Sequence, residues 1–244
     1  MFFPLAGKMI PWFSALAMLF GAIGLYLGLI VAPEDFQQGE VYRIIFIHVP
    51  AARMAMFIYL VMAMYGVMAL TFNTRLSAMM MEALAPTGAM FTALALWTGA
   101  LWGRPTWGTY WAWDARMTST LILLFLYVGY LALINAIEDK KRADKASALL
   151  VIVGSVNIPI IYFSVKWWNT LHQGMSVSVN TPPRMASIML WAMLTMAIAC
   201  WMYAIAVSLV RVRAIICERD RERGSGQAGI TKLETAATNA IASS

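Results

Sequence analysis

Histidine occurs twice in the 244 residues, as His48 in Arg43-Ile44-Ile45-Phe46-Ile47-His48-Val49-Pro50 and as His172 in Trp167-Trp168-Asn169-Thr170-Leu171-His172-Gln173-Gly174. Two imidazoles support only some kinds of metal chemistry. Zinc sites take three or four protein ligands, so a zinc reading needs a third, for which Asp114 is the candidate. Haem iron needs only axial ligands, because the porphyrin already supplies four nitrogens, and two histidines, one per face, complete an octahedron. A lone histidine at a wet boundary also reads simply as a polar residue.

The second chemical resource is aromatic. Of ten tryptophans, Trp102, Trp107, Trp111, Trp113, Trp167 and Trp168 fall in or beside the connections that carry the histidines or lie level with them, while Trp12 marks the opposite boundary. A belt of rings at headgroup level accounts equally well for Trp102, Trp167 and Trp168. In Trp107-Gly108-Thr109-Tyr110-Trp111-Ala112-Trp113-Asp114-Ala115-Arg116, four large rings within seven residues exceed what anchoring one helix end needs. If the segment is helical, Trp107, Tyr110 and Trp111 share a face on which a flat apolar ligand gains dispersion and area burial. Gly108 allows close backbone approach. Asp114 also reads as the N-cap of the next helix, three residues before Met117. Arg43, Arg53 and Arg116 surround these motifs, and their planar forks suit the two carboxylates a haem carries. Arg53 and Arg116 read equally as anchors that snorkel to the interface.

Composition sets the elements that must position these residues. With 61% hydrophobic and 12% charged side chains, the chain is far from a soluble domain, where about half are apolar and about a quarter charged. A soluble enzyme is excluded. Uncharged stretches predict six spans, at about 11–31, 52–72, 83–103, 117–137, 146–165 and 186–210, each long enough to cross roughly 30 Å of hydrocarbon. The runs are apolar on every face, which excludes a β-barrel and leaves an all-α integral membrane protein, a six-helix transmembrane bundle. Residues 1–215 form one membrane domain, and 216–244 read as a disordered cytoplasmic tail. The first apolar run is about twice the length of a signal h-region and is expected to stay as span one. Cys200 and Cys217 form no C-x-x-C pair, so neither a disulfide framework nor a thiol relay is indicated.

Twelve of the eighteen basic residues, among them Lys8, Arg75, Lys140, Lys141, Arg142, Lys145 and the six from Arg211 to Lys232, lie on one side of this topology. The positive-inside rule makes that side cytoplasmic, with both termini there and the connections 34–53, 104–116 and 166–184 external. The net charge of +6 therefore orients the chain. As a nucleic-acid signal it fails, since Arg211–Arg223 is interleaved with Glu218, Asp220 and Glu222 and lacks aromatic residues to stack on bases.

Trp107-Gly108-x-x-Trp111-x-Trp113-Asp114-x-Arg116 resembles the tryptophan-rich signature of haem-handling membrane proteins. With six spans, His48-Val49-Pro50 before span two and Trp167 to Gly174 between spans five and six, the chain resembles the cytochrome c maturation protein C family, also called haem exporter protein C, over roughly residues 10–215. The resemblance implies a bacterial inner-membrane location and external loops that form a haem site on the periplasmic side. His48 and His172 would be axial ligands of a transient, non-covalent b-type haem. The platform of Trp107, Gly108, Tyr110, Trp111, Trp113 and Asp114 would contact haem and a partner, and Arg43, Arg53 and Arg116 would meet the propionates. The implied partners are cytochrome c maturation protein E, a covalent haem chaperone, the ATP-binding cassette pair of maturation proteins A and B, and the small membrane protein D. Tyr110 departs from the signature, which often has tryptophan there. No catalytic constellation is expected.

Two other classes compete. A small-molecule permease would show ionisable groups or broken helices deep within the spans, and Pro86 and Pro159 are candidate kinks. An intramembrane metal-dependent enzyme would need H-E-x-x-H or a third histidine, and the sequence has neither.

Overall fold

The computed structural model describes residues 2–168, 170 and 185–242. Its helices are α1 (Phe2–Tyr26), α2 (Ile45–Phe72), α3 (Arg75–Trp107), α4 (Ala115–Ala136), α5 (Lys140–Gly154), α6 (Asn157–Trp167) and α7 (Ser187–Ala242). A π-helical turn, Leu27–Val31, extends α1, and a 3-10 turn, Glu40–Ile44, leads into α2. Among the described residues no strand forms beyond one isolated bridge, Asp35 to Gly39. Among the described residues six segments are long and apolar enough to cross a membrane: Phe3–Val31, Glu40–Phe72, Arg75–Trp107, Ala115–Ala136, Lys140–Trp167 and Ser187–Glu222. The predicted all-α, six-span architecture is the one observed.

Local chemistry explains the breaks between helices. The turn from α2 to α3 places Asn73 in the left-handed region at φ 52°, which asparagine tolerates better than other non-glycine residues. Gly108, at φ 79°, ends α3. Asp114 and Asp139 cap α4 and α5 by accepting from the backbone N–H of Met117 (2.8 Å) and Arg142 (2.7 Å). Span five divides at Ser155-Val156, four residues before Pro159, where the proline ring denies Ser155 its usual i+4 partner and Ile158 N–H takes its carbonyl at 3.0 Å instead. The break is filled: Asn157 Nδ2 donates to the Ser119 carbonyl at 2.8 Å, and the Tyr59 side chain packs against Gly154. Pro86 lies inside an uninterrupted α3.

The best-covered span is α3, with 56% of its apolar window buried against 11% for span one, so α3 lies inside the bundle and α1 faces lipid. The core lies between α2, α3, α4 and α5, around Tyr59, Met62, Met81, Leu123, Tyr127 and Tyr130. Tyr127 donates its hydroxyl to the Ala55 carbonyl at 2.7 Å and stands edge-on to Tyr59. Gly88 makes this possible, since a Cβ there would lie 2.2 Å from the Tyr127 ring. The outer helix α1 packs on α7, where Gly24 lets the backbone approach Met196, as small residues do between helices that have no water to expel.

Charged residues end the predicted spans too early. Arg75, Glu82 and Arg104 all lie within α3, which outruns the predicted 83–103 at both ends. Likewise α7 runs through the predicted boundary between 215 and 216 and continues to Ala242. Val212, Ile215 and Ile216 pack on Met79, Met80 and Ala83. Arg219 is held by Asp144 (2.9 Å) and Glu82 (2.6 Å), so the packed body extends past 215.

Candidate functional site

The end of the bundle opposite Arg219 gathers the N-termini of α2, α4 and α7 and the C-termini of α3 and α6. The approach to α2 is built as a brace. Asp35 Oδ1 accepts the N–H groups of Gln37 and Gln38 at 2.9 Å each, and Gly39 turns the chain at φ 57°. Arg43 follows in the 3-10 turn. Its guanidinium pairs with Glu40 and donates through Nη1 to the carbonyls of Gly28 (3.1 Å) and Ala32 (2.7 Å), oxygens left over where α1 ends. Arg43 was expected at a propionate; here its fork ties the end of α1 to the start of α2.

His48 sits in the second turn of α2 and is 8% exposed. Residues of α3 surround its ring, the Ala95 backbone among them as a hydrogen-bond partner. Thr98 Oγ1 lies 3.0 Å from His48 Nδ1. Gly99 leaves the ring room, since a Cβ there would be 3.1 Å from Cε1. Trp102, 5% exposed, meets the imidazole edge-on at 5.6 Å. Trp102 is itself fixed by Tyr42, edge-on at 5.9 Å, by Trp107 at 6.3 Å, and by Gln38, whose Oε1 accepts from the indole N–H at 2.7 Å.

A pocket opens beside His48, lined by Ala52, Ala55, Ala95, Gly99 and Leu123 among others, and by Arg116. Its walls are mostly apolar. Arg116 is half-buried and within electrostatic reach of Asp114 and Arg53. Among the described residues neither Arg116 nor the exposed Arg53 makes an ion pair or hydrogen bond through its guanidinium. A half-buried guanidinium without an acceptor is costly, and it is the kind of group that an incoming carboxylate satisfies.

The tryptophan segment is not helical. Gly108 stops α3 directly after Trp107, and 108–114 run irregularly back along it, so close that a Cβ on Gly103 would lie 2.8 Å from the Thr109 carbonyl. The predicted shared face of Trp107, Tyr110 and Trp111 therefore does not form. Instead Trp107 joins Trp102, Trp111 meets Trp113 edge-on at 5.4 Å, and Tyr110 lies under the Arg104 guanidinium at 5.8 Å. Tyr110 and Trp113 are 57% and 78% exposed. Asp114 takes the cap role, and its other oxygen Oδ2, with Thr106 Oγ1 and Trp111 Nε1, is buried without a hydrogen-bond partner among the described residues.

His172 lies outside the described residues, so its relation to His48 is not part of the described geometry. Trp167 and Trp168 are exposed at the end of α6, where Trp167 stacks on Phe163 at 5.1 Å, as belt residues would. Trp102 belongs to the site and not to the belt. Sequence reading also missed Thr98, Gly99 and Gln38. Thr98, Gly99 and Trp102 stand at i, i+1 and i+4 on one helix, a grouping that points to a shared face only once a partner for that face is known.

The architecture is that of a polytopic membrane protein in which, among the described residues, an oriented histidine and a cation without an acceptor line an apolar pocket. A family model described as Heme exporter protein C matches residues 1–227. Heme exporter protein C of Escherichia coli (strain K12) is 41% identical over 222 residues, covering 91% of this chain and 89% of that protein. The protein of the same name from Bradyrhizobium diazoefficiens is 45% identical over 218 residues, 89% of this chain and 82% of it. A mitochondrial protein of Marchantia polymorpha named for cytochrome c biosynthesis is 50% identical over 157 residues, 64% of this chain and 66% of it. The chain belongs to the Heme exporter protein C family.

Proposed function

We propose that this protein handles haem for cytochrome c maturation: it holds a transient, non-covalent b-type haem at the external, periplasmic face of the bacterial inner membrane and passes it to cytochrome c maturation protein E. The observation that carries the reading is Arg116, a half-buried cation with no acceptor among the described residues, on the wall of an apolar pocket that also exposes an edge of His48. Membership of a family named for haem export supports it. His48 and His172 are the proposed axial ligands, and bound haem would supply an iron centre held from both faces. Arg116 and Arg53 receive the propionates, while Arg43 acts indirectly by bracing the start of α2.

Trp107 and the irregular segment 108–114 that follows it form the surface that meets haem and chaperone. Tyr110 and Trp113 present exposed rings, and Trp111 Nε1, Thr106 Oγ1 and Asp114 Oδ2 supply polar atoms that await partners. The chain works by positioning and is not itself the catalyst. Maturation proteins A and B, as an ATP-binding cassette pair, and the small protein D complete the proposed assembly, with both termini cytoplasmic.

An absorption spectrum of the detergent-purified protein tests the reading. A Soret band that persists through purification, and is lost or shifted in His48→Ala and His172→Ala, is the expected result. Colourless protein from haem-replete cells would overturn it.

A further inference from the structure

The hydroxyl of Thr98 has one proton and two lone pairs. It lies 2.7 Å from the Leu94 carbonyl, four residues back on α3, and 3.3 Å from that of Ala95. These acceptors claim the proton, as they do for threonines within helices. What Oγ1 offers His48 Nδ1, 3.0 Å away, is therefore a lone pair, so Nδ1 is the nitrogen that carries hydrogen. In the neutral imidazole the lone pair then resides on Nε2. The arrangement is sequestered from water, with His48 8% and Thr98 4% exposed. The ring cannot easily swing to exchange its nitrogens, because Gly99 lies against Cε1 and the Trp102 edge stands 5.6 Å away.

We infer that Thr98 is a positioning residue that fixes His48 in the tautomer and orientation needed to offer Nε2 to a metal. The inference rests on the proposed haem reading of the site and adds a residue to it. A histidine that donates its second N–H to an oxygen is a more basic ligand, and such outer partners typically alter metal affinity by about 10- to 100-fold. The Nδ1–H bond should also favour ferric over ferrous iron, since it strengthens the more electron-rich ligand.

The test compares iron(III) protoporphyrin IX with metal-free protoporphyrin IX, which needs no axial ligand, by titration into the purified full-length protein. Thr98→Val removes the hydroxyl acceptor at nearly constant shape, leaving the Ala95 backbone, and Thr98→Ala removes it with less bulk. Both should weaken the iron porphyrin about tenfold or more, leave the metal-free porphyrin within about twofold, and raise the midpoint potential of bound iron. Thr98→Ser should restore wild-type behaviour. Equal loss of both porphyrins would mean a packing role and overturn the inference. So would wild-type iron affinity in Thr98→Val and Thr98→Ala, or a Thr98→Ser variant as weak as Thr98→Val. His48→Ala separates the two levels: if it keeps wild-type affinity for the iron porphyrin, the ligand reading falls and this inference with it. If His48→Ala loses that affinity and Thr98→Val does not, only the inference on Thr98 falls.

Discussion

Arg219 and Arg116, half-buried near opposite ends of the bundle, are treated in opposite ways. At one end Arg219 reaches from α7 to Asp144 on α5 and Glu82 on α3, with three contacts of 2.6 to 2.9 Å that satisfy both carboxylates. At the other, Arg116 lines an apolar pocket and finds no acceptor among the described residues, while Asp114, its nearby opposite charge, spends one oxygen on a helix cap. Among the described residues Thr106, Trp111 and Asp114 at that end each hold a buried polar atom without a partner, as do Tyr130, Ser147, Ser208 and Arg213 elsewhere in the bundle. A charge matched within the chain holds helices together. A charge left unmatched at a pocket is poised for something from outside, and its cost is borne by the rest of the fold.

Substitutions should separate these roles. Arg219→Ala strands two carboxylates at a helix junction and should destabilise the detergent-solubilised protein by about 3 kcal/mol, read as a fall in thermal midpoint, with haem binding per folded molecule unchanged. Gly88→Ala acts at neither end; its methyl would meet the Tyr127 ring, and overpacking of this kind should cost about 1–3 kcal/mol. Arg116→Gln should do the reverse of Arg219→Ala. Stability should stay within about 0.5 kcal/mol, because no hydrogen bond or ion pair among the described residues is lost. Affinity for iron porphyrin should fall about tenfold or more, as for one charge-assisted hydrogen bond. If Arg116→Gln melts as early as Arg219→Ala with affinity intact, the contrast between the two ends is wrong.

The contrast was half legible in the sequence. Apolar runs announced six spans, and the spacing of Asp114 from Met117 announced a cap that the structure contains. Charged residues misled at the edges. Glu82 and Arg219 read as ends of membrane and beginnings of tail, although the ion pair between them, 137 residues apart in the chain, is what lets both helices continue. The tryptophan segment was legible as unusual but not in shape, because the helical reading ignored what a glycine directly after Trp107 does to a helix end. The environment of His48 was the least legible. Thr98 and Trp102 sat in an apolar run as an unremarkable hydroxyl and a belt candidate, and only the packing of α2 on α3 brings them to the imidazole.

The smallest predicted effect tests how far the open end is braced by its own chain. Gln38 and Trp102 share a hydrogen bond of 2.7 Å across 64 residues, and that bond holds the indole whose edge meets His48. Gln38→Leu leaves the indole N–H buried and unpaired, at a cost of about 1–2 kcal/mol. Trp102→Phe removes the donor and part of the ring. Because the two changes delete one interaction between them, the double variant should be less destabilised than the sum of the single ones, with a coupling of about 1 kcal/mol. Iron porphyrin affinity should drop by only a few fold in Gln38→Leu, since Thr98 still holds Nδ1. Strict additivity in the double variant would mean that Gln38 does not brace Trp102. The ring beside His48 would then rest on its contacts with Tyr42 and Trp107, and the self-satisfied end and the receptive one would differ more sharply.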